Sequence, residues 1–428
     1  MTGDENSIQA DLILTGASQV VTFRDLPRGP VGEAVAESTV LDGAVACRDG
    51  HIVFVGAASE CRRQVELRGG GEEIDCSGQV ILPGLIDAHT HLPFAGERAG
   101  EFRLRLQGKT YEEISAAGGG ILSTVSATRA ATDDDLLAGC CTRMDRMLAY
   151  GVTTAEAKSG YGLSRDQELR LLRVVARADE GHPVDLVPTL LAAHVLPPEF
   201  KGRRDAYVDL IIREIIPATA REKLARFCDV FIEEGAFSVA EARAILTAAR
   251  EAGMDLRVHA DQLTAGGGAE LAAEMGAASA DHLEHVSAAG MKALAAAGTV
   301  AVLLPVVDLF LRKTAYPPVA ALLAAGVDVA LATDCNPGSC MTENLPLAAT
   351  LACLTTGLDT DDALAGITVR AARSLRLEDR GTLEVGTAAD LAVFAVADRT
   401  AILYHFGINH CRTVVKNGQL VVREGKRV

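Results

Sequence analysis

His89-Thr-His91 sets two imidazoles two residues apart, directly after the apolar run Val80 to Ile86. In an extended segment that spacing turns both rings to one side, and neutral imidazole is a common ligand for borderline divalent metals such as zinc. Alone, a His-x-His motif fits one structural and one exposed histidine equally well. The rest of the chain changes the comparison, because His194, His259, His282 and Asp334 each end a further apolar run. If those runs are parallel strands of one barrel, six imidazole or carboxylate groups from five separate strands meet on one rim. Such a cluster can hold a metal ion with a position left for water, which is the equipment of metal-assisted hydrolysis.

The elements that must position these groups are legible between Val80 and about Leu375. Eight apolar runs alternate there with helical stretches: Val80 to Asp87, Val152 to Lys158, Val184 to His194, Cys228 to Glu233, Asp255 to His259, Ala278 to His282, Thr299 to Leu304, and Asp328 to Asp334. Alternation of this kind marks parallel βα units, and eight of them predict an α/β fold, a closed (β/α)8 TIM-like barrel over residues 81–375. The catalytic face of such a barrel lies at the carboxyl ends of its strands, where the histidines fall. Among the connecting helices, Thr132 is an expected N-cap ahead of three aspartates, and Leu137, Cys140, Met144, Met147 and Leu148 form its core stripe. The two chain ends read differently, as short strands with hairpin turns at Asp49-Gly50 and Asn417-Gly418. Neither end suffices alone, so residues 1–80 and 376–428 are expected to combine into one small discontinuous β-sandwich.

Other motifs narrow the chemistry. The fourth run ends in Phe231-Ile-Glu-Glu234 and offers no lysine that could bridge two metals, so a single ion is expected. Lys158 ends the second run, but Ser159-Gly-Tyr-Gly162 behind it reads as a tight substrate-contacting loop, and Lys158 itself as a structural ion pair. Gly118-Gly-Gly120 lacks the Lys-Ser/Thr of a phosphate-binding loop and reads as a loop near the rim.

Composition excludes several classes of function. In 428 residues, 41 Lys and Arg stand against 57 Asp and Glu, a formal charge of −16, so no basic field exists for nucleic acid or an anionic membrane. No secretory signal is legible in Met1 to Ala10, and the longest uncharged stretches are too short and too broken by Gly and Pro to span a bilayer. The ten cysteines form no Cys-x-x-Cys pair, which signals neither disulfide framework nor thiolate zinc site. The expectation is a cytoplasmic enzyme acting on a small molecule.

Leu82-Pro-Gly-Leu-Ile-Asp-Ala-His-Thr-His91, the histidines of the fifth and sixth runs, and Thr333-Asp334 resemble the amidohydrolase superfamily. Within it, Arg105-Leu-Gln-Gly108, Gly118-Gly-Gly-Ile-Leu-Ser-Thr-Val125, Lys158-Ser-Gly-Tyr-Gly-Leu163, His259-Ala-Asp-Gln262, Ser279-Ala-Asp-His-Leu283 and Ala332-Thr-Asp-Cys-Asn-Pro-Gly338 are similar to imidazolonepropionases. The resemblance implies ring opening of 4-imidazolone-5-propanoate to N-formimidoyl-L-glutamate in histidine degradation. It implies one Zn2+ or Fe ion held by His89, His91, His259 and Asp334, with Asp334 as proton carrier and His282 facing the carbonyl. Substrate contacts carried over are Arg98, Tyr161 and His194, joined by Tyr111, Gln262, Asn336, Gly338 and Ser339; a homodimer is also implied. Some members carry Glu where this chain has Gln262, and a neutral amide cannot be the base, so that role passes to Asp334. Val306-Val-Asp308 also departs from the small and aromatic residues of the family. Another cyclic-amide hydrolase or an aminohydrolase of the superfamily would keep the metal residues without the set Arg98, Tyr161 and Asn336. A non-catalytic scaffold would have lost ligands.

Overall fold

A computed structural model describes residues 7–109, 113–114 and 118–428. Eight parallel strands pair in chain order: β1 Leu85–Asp87, β2 Val152–Lys158, β3 Asp185–Ala193, β4 Phe227–Ile232, β5 Asp255–Ala260, β6 Ser279–His282, β7 Val300–Leu303 and β8 Val329–Leu331. The circle closes just past the ends of β8 and β1. There Thr90 and Cys335 form a parallel bridge, the Asp334 N–H donates to the His89 carbonyl at 3.0 Å, and the His91 N–H donates to the Cys335 carbonyl at 3.1 Å. One layer below, the Asp87 carboxylate accepts from the Thr333 N–H at 3.0 Å and its hydroxyl at 2.6 Å. Three of the four expected metal ligands are therefore set side by side by the closure itself.

The helices around the barrel follow their sequence signals. Thr132 accepts from the Asp135 N–H and Asp135 reaches back to the Thr132 N–H, a reciprocal cap that starts helix Asp133–Ala149. Its buried stripe is Leu136, Cys140, Met144, Met147 and Leu148, with Leu136 rather than Leu137 innermost. Ser238 and Glu241 repeat the device ahead of Val239–Glu251.

The chain ends share one nine-stranded sheet, with the expected hairpins at Asp49-Gly50 and Asn417-Gly418. Leu12, Val45, Ile52, Ile81, Leu391 and Val415 come from six successive strands of that sheet yet join one apolar cluster, and His51 bridges to Ala388, so the sheet folds over on itself. One expectation is corrected. The run Val80 to Asp87 is two strands: Val80–Pro83 lies in the terminal sheet, parallel to Ile8–Val21 and antiparallel to Leu391–Phe394, and only Leu85–Asp87 enters the barrel. Gly84 makes the crossing, its N–H donating to the Asp390 carbonyl at 2.8 Å, and a Cβ there would overlap the Thr153 side chain. Among the described residues no helix is long and apolar enough to cross a membrane.

Candidate active site and metal centre

Strand alternation builds the site from the inside out. β2 carries Glu156 and Lys158 on one face, β5 carries Arg257 and His259, and β6 carries Ser279 and Asp281, each pair two residues apart. These side chains and Asp229 of β4 are buried. Lys158 Nζ donates to Glu156 Oε1 and to Asp229 Oδ2, both at 2.7 Å, and Arg257 donates to Asp281 Oδ2 at 3.0 Å. Three carboxylates face two cations, which leaves one negative charge in excess immediately beneath the histidines. Asp281 spends it on His89, whose Nδ1–H donates at 2.6 Å. Asp229 Oδ2 lies 2.9 Å from His259 Nδ1, close enough for strong attraction although off the hydrogen-bond line. Carboxylates behind ligating imidazoles fix ring orientation and strengthen the free nitrogen as a donor.

Above this layer stand all six groups singled out in the sequence. Single ligand atoms of His89, His91 and Asp334 lie within 4.8 Å of one another, as do those of His89, His259 and His282. His89 belongs to both triads, and Asp281 already occupies its Nδ1. His89 Nε2, His91 Nδ1 and Asp334 Oδ1 are buried without a hydrogen-bond partner, although Asp334 Oδ1 is only 3.2 Å from His91 Nε2 and 3.5 Å from His89 Nε2. Buried polar atoms left unpaired are costly, and the close spacing of ligand atoms from these residues fits a cation. Protonation of His91, His259 and Asp334 agrees with that use, whereas at His89 the lowering by burial is outweighed by the carboxylates of Asp281 and Asp334, which raise it. Burial pushes His91 down and His259 well below the ordinary imidazole range, leaving lone pairs free. Burial opposes the charge on Asp334, but His89 and His91 hold it well below the usual carboxylate range.

A cavity of about 170 Å³ lies over the cluster. His91, His259, His282 and Asp334 form one side of its lining, and Arg98, Tyr161, His194, Gln262, Asn336, Gly338 and Ser339 line the remainder together with Arg105 and Phe231. Of the sequence-derived site residues, Tyr111 alone lies outside the described residues. Arg98 is nearly buried and pairs with Glu101 at 2.8 Å, an ion pair that coexists with a place in the cavity wall. Gly338 leaves room beside it, since a Cβ at that position would displace the guanidinium. The tight loop after β2 is held by Glu168, whose carboxylate accepts from the N–H groups of Gly160, Gly162 and Leu163 at 2.7 to 3.0 Å. That loop delivers Tyr161, and the Gly160 carbonyl accepts from His194 Nδ1 at 3.0 Å. Burial drives His194 down to about 3, so its ring is neutral. Asn336 builds a turn more than it reaches outward: its Oδ1 accepts from the N–H groups of Gly338 and Ser339, and its Nδ2 donates to the Asp334 carbonyl.

Sequence reasoning passed over Arg105, which donates to the Gly338 carbonyl at 2.9 Å, and the inner layer Glu156, Asp229, Arg257 and Asp281. The signal for the latter was present: a charged residue at alternate positions of an otherwise apolar strand.

Comparison with known proteins agrees with this architecture. The model of the amidohydrolase family matches residues 112–422. The chain is 51% identical to an imidazolonepropionase of Myxococcus xanthus, over 97% of this chain and 98% of the relative. It is 47% identical to one of Symbiobacterium thermophilum, over 97% and 98%. Among solved structures, atrazine chlorohydrolase of Arthrobacter aurescens complexed with zinc superposes with a TM-score of 0.72 at 19% identity, over 97% of this chain and 96% of that one. An adenosine deaminase of Xanthomonas campestris with bound zinc gives 0.69 at 19%, over 99% and 95%. Those likenesses establish the fold, whereas the sequence relatives reach further: the chain belongs to the imidazolonepropionase family of amidohydrolases.

Proposed function

We propose that this chain opens the ring of 4-imidazolone-5-propanoate by hydrolysis, giving N-formimidoyl-L-glutamate, a step of histidine degradation. The observation that carries the proposal is the pairing, in one small cavity, of a cation-ready donor cluster with two guanidiniums, Arg98 and Arg105. A cyclic amide bearing a carboxylate needs both ends. His89, His91, His259 and Asp334 would hold one zinc or iron ion, since His89 Nε2 can serve only one centre. When bound, that ion supplies Lewis acidity, which polarises the carbonyl and makes water a nucleophile near neutral pH.

The side chains perform the rest. Arg98, with Arg105 beside it, grips the propionate and fixes the ring relative to the donor cluster, so that binding supplies alignment as well as affinity. Water adds to the ring carbonyl carbon, Asp334 takes its proton, and His282 meets the oxygen on which negative charge develops. The carbon–nitrogen bond then breaks and Asp334 returns the proton to the departing nitrogen. Gln262 orients the ring by hydrogen bonding and exchanges no proton. Tyr161 and neutral His194 line the substrate face, and Tyr111 is retained as a contact from sequence alone. Buried, unpaired cysteines suit a reducing cytoplasm, and a homodimer completes the proposal.

The test is discrimination between the propionate substrate and an imidazolone lacking the side chain. Wild type should strongly prefer the former, and Arg98→Ala should lose most of that preference. Retention of the wild-type ratio by Arg98→Ala would return Arg98 to a mere ion pair with Glu101.

A further inference from the structure

Beside His282 lies a charged cluster that the mechanism leaves unused. Asp308 sits in the short helix Pro305–Phe310 and Glu284 lies two residues past His282; both are buried. Lys313 Nζ is 3.0 Å from Glu284 Oε1 and 3.6 Å from Asp308 Oδ1, and it donates to the Gln262 carbonyl at 3.4 Å. Glu284 Oε1 is in turn 3.8 Å from His282 Nδ1. One lysine does not satisfy two carboxyl groups. Glu284 Oε2 and Asp308 Oδ1 remain buried oxygens with no donor, on side chains gathered around the same lysine. Two buried carboxyl groups that share one cation do not both ionise, and a proton on one of them supplies the missing donor.

We propose that Asp308 is a neutral carboxylic acid donating a hydrogen bond to Glu284, and that this pair, clamped by Lys313, is a positioning device for His282 and Gln262. The inference rests on the reading in which His282 faces the reacting carbonyl. Glu284 and Lys313 act on Asp308, with His282 behind Glu284; of the helices packed on the Asp308 helix, Leu345–Thr356 carries no charged residue and Ala99–Leu106 brings Arg105 over the Phe310 ring. Burial and the facing Glu284 push Asp308 up to about 8, against the opposing pull of Lys313. Burial also raises Glu284, but His282, Lys313 and the Asp308 carboxyl outweigh it and bring it down to about 2. Glu284 thus keeps its charge for His282 and Lys313, while Lys313 stays free to hold the backbone that carries Gln262. An ionised Asp308 would pull Lys313 toward itself and loosen both.

The experiment compares Asp308→Asn and Asp308→Ala in the full-length, metal-loaded enzyme. Asparagine offers an N–H donor where the acid offers O–H, so Asp308→Asn should keep kcat within about twofold. Asp308→Ala should lower kcat by about 10- to 100-fold through His282, the scale of one lost hydrogen bond to a charged group, and raise KM through Gln262 by no more than the about 10-fold expected of Gln262→Ala. Stability gives a second readout. A carboxyl whose folded pKa is raised binds an extra proton in the native state, so it lowers stability as pH rises from about 4 toward 8. Asp308→Asn should therefore have a higher Tm than wild type at alkaline pH, with the gain vanishing toward about pH 4. A wild-type-minus-Asp308→Asn infrared difference spectrum at neutral pH should show the C=O stretch of a protonated carboxylic acid.

Three outcomes overturn the proposal: Asp308→Asn as slow as Asp308→Ala, Asp308→Ala as fast as wild type, or no protonated-acid band. If Asp308→Ala fails to fold, the Asp308→Asn kinetics, Tm profile and spectrum decide. A wild type inactive on the imidazolone would sink the functional reading, and the Tm and infrared results on Asp308 would still stand or fall separately.

Discussion

Asp334 and Gln262 face the same cavity, yet only Asp334 can exchange a proton. Asp334→Asn should therefore lower kcat by about 10²- to 10⁴-fold, the usual worth of a positioned acid–base group. Gln262→Ala should mainly raise KM, by about 10-fold or less, because it removes one neutral hydrogen bond. Single-turnover rates with metal content monitored separate the two; loss of the chemical step in Gln262→Ala at full metal loading would reassign the roles. The backbone shows how tightly these residues are committed. His282 and Asp334 both adopt left-handed conformations, at φ 80° and 53°, which non-glycine residues reach at a cost of roughly 1–3 kcal/mol when the surroundings over-determine them. At Arg98 charge alone is insufficient. Lysine keeps the cation but loses the planar fork, so Arg98→Lys should recover only part of the kcat/KM that Arg98→Ala loses. Full recovery by lysine would mean that the site needs a positive charge and no particular geometry.

Strands that carry functional groups also had to be cut to the right length, and Gly84 does this for β1. Gly84→Ala should destabilise by about 1–3 kcal/mol through overpacking against Thr153, and Thr153→Ala should restore part of the loss. Chemical denaturation of the single and double variants measures both; additive losses would show that the two do not meet. This boundary was hidden in the sequence because Val80 to Ile86 is apolar throughout, and an apolar run does not reveal which of two sheets it serves. The barrel itself was legible, since its eight runs and the helices between them differ in period. The outer groups His89, His91, His194, His259, His282 and Asp334 were legible for a related reason: each stands at the end of a run, where a barrel exposes function. What escaped was long-range pairing. Arg105 reaches the Gly338 carbonyl across more than two hundred residues, and Asp308 meets Glu284 from a different barrel unit. Neither contact leaves a local signature.

Over the whole molecule, acidic composition and a cationic substrate grip are reconciled by segregation. The chain as a whole carries a net −16, the barrel interior stacks Glu156, Asp229 and Asp281 against Lys158 and Arg257, and Arg98 and Arg105 wait in the cavity. The interior layer is strongly interdependent. Lys158→Met should cost about 3–5 kcal/mol, because it strands buried carboxylates, and should reduce metal retention through His259. A variant with wild-type Tm and metal content would show that the layer does not support the site. Metal analysis by mass spectrometry should find one zinc or iron ion per chain, with complete chelation abolishing turnover; two ions per chain would contradict the shared role of His89. The most direct test of the account as a whole is to incubate the purified, metal-loaded protein with freshly generated 4-imidazolone-5-propanoate and follow both compounds. Stoichiometric conversion to N-formimidoyl-L-glutamate, at a rate far above the spontaneous decay of the imidazolone, is the predicted result; an unchanged decay rate with no such product would contradict it.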